Sequence, residues 1–114
     1  MAFLGALKIL IAIATMAFGL VSILSPESAE RFTGIKAEGP RGISEIRAVL
    51  GGLFVGLGAA ALIYHSPASY GTVGIGYLTI AAVRAGSIAF DRASTRSNWI
   101  SFAFEAGFGI LLLI

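Results

Sequence analysis

Six side chains with usable chemistry, Glu45, Arg47, Arg84, Ser87, Asp91 and Glu105, lie inside or at the ends of strongly apolar stretches of this chain. The stretch GIGYLTIAAVRAGSIAFDR, Gly74 to Arg92, holds Arg84 among residues apolar enough to cross a bilayer. A guanidinium at a helix centre costs about 2.5–3.5 kcal/mol on insertion scales, so it calls for a partner. Arg84 precedes Asp91 by seven residues and Glu105 follows Asn98 by seven. At about 1.5 Å per residue both charges sit roughly 10 Å from the same end of their segments. Opposite charges at matched depth on antiparallel neighbours should pair, with Glu45 slightly shallower and Ser87 and Ser101 as hydrogen-bond partners. Arg47 stands two residues from Glu45, on a different helical face, and cannot serve the same partner equally. Two kinds of work suit such a cluster. It can fix helix register, or it can bind or protonate a lipophilic ligand such as a quinone or sterol. An ionisable group inside a membrane is a functional candidate by default, although a desolvated pair rarely adds net stability.

Other chemistry finds less support. Without cysteine the chain has no disulfides, thiolate nucleophile or Cys-based metal site. His65 is the single histidine and stands beside a proline turn, so no metal site is expected. Serines lack a histidine and carboxylate at usable depth, which removes the basis for nucleophilic catalysis. The string GLGAAA, Gly56 to Ala61, follows no strand, so a dinucleotide turn is not expected. No cofactor is indicated.

The elements that must hold these side chains follow from composition. Of 114 residues 57% are hydrophobic and 12% charged, with mean hydropathy +0.91, the profile of an integral membrane protein. The length suits one domain. The basic residues are scattered among acids without interleaved aromatics, so nucleic acid is not an expected partner. Four apolar segments, about 3–24, 43–64, 70–90 and 98–114, predict four transmembrane helices, because the segments lack strand alternation and backbone groups in lipid must be satisfied internally. The first is read as a retained anchor, since SPESAERF after Leu24 is not a small-x-small cleavage site. Ser97 or Asn98 is the expected cap of the last, with Trp99 at the interface.

Ser25, Pro26, Glu27, Glu30 and Gly34 predict a short interfacial helix in the first loop, with Arg31 and Lys36 as candidates for lipid headgroups or a docking partner. Basic residues Arg31, Lys36, Arg41, Arg92 and Arg96 place loops 25–42 and 91–97 in the cytoplasm and both termini outside. Helix packing is predicted along Ala48, Gly52, Gly56 and Ala60, which recur every four residues as a groove of small side chains. Ala82 with Gly86, and Ala103 with Gly107, repeat the spacing.

The stretches EIRAVLGGLFVGLG, AAVRAGSIAFDR and FEAGFGILLL together resemble a widespread bacterial family of small four-helix membrane proteins classed as a domain of unknown function. The resemblance rests on Arg47, Gly51, Gly52, Arg84, Ser87, Asp91 and Glu105, covers most of residues 43–114, and implies the fold and a bacterial inner-membrane location. It implies no activity. A looser similarity to DoxX-like proteins concerns the four-helix architecture alone. The expected function is that of a non-enzymatic accessory or scaffold subunit. It would dock by its helix faces onto a larger membrane complex, for example a respiratory or photosynthetic assembly where it borders a quinone path or antenna ring, or onto copies of itself. The alternative is a small-molecule binding, transport or enzyme site built on the Glu/Arg cluster.

Overall fold

The computed structural model describes residues 2–114. All regular structure among them is helical: α1 (Ala2–Leu24), α2 (Pro26–Thr33), one continuous helix Gly39–Tyr64, α5 (Pro67–Phe90) and α6 (Arg96–Leu113). The continuous helix has three parts: α3 (Gly39–Glu45), a π-helical segment (Ile46–Leu53) and α4 (Phe54–Tyr64). It starts before the expected Ile43, because Pro40 suits a first turn, having no N–H to leave unpaired.

Three helices, α1, Gly39–Tyr64 and α5, are long and apolar enough to cross a membrane, and only 28%, 22% and 22% of their most apolar windows is buried. The rest of those windows exposes side chains such as Leu10, Leu20, Ile63 and Val83, the reverse of a water-soluble surface. The fourth predicted span is not among these three. α6 has 18 residues, and Arg96, Asn98 and Glu105 dilute its hydropathy.

Caps define the ends. Gly34 closes α2 at φ 80° in the left-handed region, and its N–H reaches the Glu30 carbonyl. Ser25 precedes α2 but bonds the Ser28 hydroxyl and makes no side-chain cap bond. Ser66 and Ser69 form a reciprocal capping box ahead of α5. Thr95, not Ser97 or Asn98, caps α6 by accepting the Asn98 backbone N–H at 3.1 Å. Thr95 has the extended backbone that a cap requires, whereas Ser97 and Asn98 already lie in the helix.

The chain divides into two compact units. One comprises Ile9–Tyr64. Its α1 buries Ile11, Ala12, Thr15, Gly19 and Ser22, a 3–4 spacing that makes one face. Gly19 lies against the π segment so closely that a Cβ there would sit 2.6 Å from the Gly51 carbonyl oxygen and 2.7 Å from the Val55 nitrogen. Gly58 approaches Met16 and the Ala12 carbonyl in the same way. Phe18 stacks at 5.7 Å on Phe32 and 5.1 Å on Phe54, tying α1 to α2 and α4.

Packing here uses Gly51 and Gly58 and not the predicted groove. A Cβ on Gly56 would meet nothing within 4 Å, and one on Gly52 only the Arg47 carbonyl at 3.9 Å on its own helix. Gly51, Val55 and Gly58, spaced four and three residues apart, share the face turned to α1, and Gly52 and Gly56 lie off that face.

The other unit runs from His65 to Ile114 and includes residues up to Lys8. α5 and α6 pack against each other along a seam. Tyr70, Val73, Gly74, Ala81 and Ile88 are buried on α5, and Gly109 and Leu112 on α6. A Cβ at Gly74 would lie 3.0 Å from the Gly109 carbonyl, and one at Gly109 2.6 Å from Leu78 Cγ. Close approach of these helices therefore rests on Gly74 and Gly109. Gly86 and Gly107, half of the predicted pairs, have nothing near their missing Cβ.

Candidate functional site

The α5–α6 seam has apolar and glycine contacts at one end and a polar clamp towards the other. Arg84 stands three residues after Ala81 and four before Ile88, on the buried stripe of α5, while Glu105 stands four before Gly109 on α6. Two helices joined by the short connection 91–95 must run back along each other, and these registers bring the two side chains to one level.

The guanidinium meets the carboxylate with two parallel bonds. Arg84 Nε donates to Glu105 Oε1 at 2.7 Å and Nη2 to Oε2 at 2.6 Å. This fork-on-fork geometry is the strongest form of the interaction. Nη1 donates to Asn98 Oδ1 at 2.7 Å, and the Asn98 amide donates to the Ala93 carbonyl at 3.0 Å. Asn98 thereby connects the clamp to the α5–α6 turn. The pair is shielded unevenly, with the Arg84 side chain 31% exposed and that of Glu105 14%.

Chemically, each Glu105 oxygen accepts one bond from the guanidinium, so the two carboxylate oxygens are fixed in the plane of the Arg84 fork. Arg84 is permanently charged and cannot act as an acid or base at ordinary pH. Three of its five N–H groups are used in these bonds.

The remaining predicted residues do not join this clamp. Ser87 donates to Asp91 Oδ2 at 2.7 Å, one turn further along α5, in an exposed local bond. Glu45 belongs to the unit Ile9–Tyr64, where its Oε1 accepts from Arg41 Nε at 3.2 Å. Arg47, in that same unit, donates from Nη1 to the Ile23 carbonyl. That carbonyl lies in the last turn of α1, where carbonyls lack intrahelical partners and the helix dipole favours a cation, so Arg47 serves as a side-chain cap. Each of these polar residues has a partner within its own unit.

Asn98 is the clamp residue that sequence reasoning missed. The sequence offers it as a cap, although its position two turns before Glu105 is a usable signal. Outside the clamp, His65 Nδ1 and the Tyr70 hydroxyl lie 2.8 Å apart, and the Trp99 indole donates to Ser94 Oγ at 3.0 Å. Among the described residues no group of three or more His, Cys, Asp or Glu side chains is placed to hold a metal ion.

Neither a curated protein nor a solved structure matches the chain. A family model matches residues 3–114, which takes in both units and every residue of the clamp. The chain belongs to the family described as a domain of unknown function, DUF4345.

Proposed function

We propose that this chain is a four-helix integral membrane protein that acts as a non-enzymatic accessory subunit, docking onto one transmembrane helix of a larger membrane complex. The observation that carries the reading is the open face at Gly56. It has the small residues that let membrane helices approach to backbone distance, yet packing within the unit Ile9–Tyr64 goes through Gly51 and Gly58 instead. Apolar surface alone cannot drive such docking, because lipid tails are as apolar as the helix; close fit can.

The clamp supports the same reading. Its carboxylate is held by Arg84 in a two-bond fork of fixed geometry, which suits a register device. In the topology we favour, α6 is the fourth crossing, loops 25–42 and 91–97 face the cytoplasm of a bacterial inner membrane, and both termini lie outside.

The test is gentle extraction at native expression, separation by size and identification of co-migrating chains. Co-migration with one assembly at fixed stoichiometry supports the reading; migration of the chain alone contradicts it. A second reading has one specific observation behind it. Two Arg84 N–H groups remain beyond the three used, on a side chain that is 31% exposed, enough to donate to a carbonyl-bearing ligand. Glu105→Gln separates the two: a folded, stable variant that has lost a bound small molecule favours the ligand site, whereas lowered stability favours the clamp.

A further inference from the structure

We infer that a groove beside the π segment binds one phospholipid whose headgroup carries both a phosphate and a primary ammonium. The inference goes beyond helix docking but rests on the membrane reading. The groove has a volume of about 290 Å³ and is open along one side. Ile35, Ile46, Val49 and Leu50 are four of its eight lining residues, and its two charged residues are Lys36 and Glu45. The size is near the lower end for small-molecule sites, enough for a headgroup and the first part of an acyl chain.

The charges select the occupant. Lys36 has no ion-pair partner among the described residues, so its ammonium is available to a phosphate. Glu45 gives Oε1 to Arg41, and its Oε2 has no partner among the described residues, leaving one carboxylate oxygen for a cationic group. A cation and an anion over an apolar floor complement a zwitterionic headgroup above an acyl chain. A purely anionic lipid would satisfy Lys36 but face the Glu45 carboxylate.

The surroundings fit the membrane interface. Of its apolar lining, Ile35 and Val49 are each 49% exposed, as expected of side chains that reach the acyl boundary. Lys36 can keep its charged end at headgroup level while its stem lies along the apolar wall.

The closing experiment is native mass spectrometry of the full chain released from nanodiscs of phosphatidylethanolamine and phosphatidylglycerol in equal amounts. One phosphatidylethanolamine retained per chain, in preference to phosphatidylglycerol, is the expected result. Lys36→Gln and Glu45→Gln should each lower that retention by roughly tenfold, the loss of one charge-assisted contact, and Arg96→Gln should leave it unchanged. Equal retention of the two lipids, no retained lipid, or retention unaffected by both variants overturns the inference. Failure of the membrane reading looks different: the chain would then stay monodisperse in buffer without detergent and would not enter nanodiscs.

Discussion

The two units solve one problem by different means. Ile9–Tyr64 holds α1 to its partner helix through Gly19, Gly51 and Gly58, where backbone meets backbone, and its charged side chains lie at the periphery on Arg41–Glu45 and on the end of α1. The α5–α6 pair uses glycine contact at Gly74 and Gly109 and adds a desolvated ion pair further along the seam. Where apolar side chains line most of a helix surface, burial alone does not distinguish one register from its neighbour. Shape distinguishes it in the first unit, and shape plus one oriented charge pair in the second.

Gly19 should be the most sensitive position. Gly19→Val places a side chain against the Gly51 carbonyl and Val55 nitrogen, backbone atoms that cannot swing aside, and should destabilise by about 3 kcal/mol or more. Loss of folded yield after size-exclusion chromatography in detergent would report it. A folded Gly19→Val protein with unchanged thermal midpoint would break the claim that this unit is held by backbone contact.

Next comes the clamp. Glu105→Leu leaves Arg84 unpaired, and because Arg84 keeps part of its surface exposed the cost should fall below the fully buried range, near 2–3 kcal/mol. Removing both charges in Arg84→Met with Glu105→Leu should restore most of that loss, since apolar replacements often match a desolvated pair. A thermal double-mutant cycle measures the difference. A double variant as unstable as Glu105→Leu would show that the pair contributes more than mutual neutralisation. Asn98→Ala removes one bond to Arg84 and one to Ala93 and should cost about 1–2 kcal/mol by the same measurement. No effect would confine the clamp to its two charges.

The helical class, the first three candidate spans and the level shared by Arg84 and Glu105 are legible in the sequence because hydropathy and the rise per residue act over long stretches. What escapes it is local. The four-residue spacing makes Gly52 and Gly56 stand out, but spacing does not say which face of the helix meets α1, and Gly51 and Gly58 make the contacts. Thr95 outcompetes Ser97 and Asn98 as a cap through its backbone conformation, which all three residue types can adopt. Depth arithmetic brings Glu45 near the level of Arg84, but a depth argument does not weigh Arg41, one turn away, with which Glu45 pairs.

The smallest expected effect on stability belongs to the residue that matters most for the proposed function. Gly56→Leu starts a side chain at a Cβ position with nothing within 4 Å, so the stability in detergent should stay within about 0.5 kcal/mol of the parent. The decisive measurement compares the parent and Gly56→Leu chains, expressed at native level and extracted gently, by size-resolved migration. We predict that the parent travels with a large membrane assembly and that the equally stable variant travels alone. Identical migration of the two chains would contradict docking through this face.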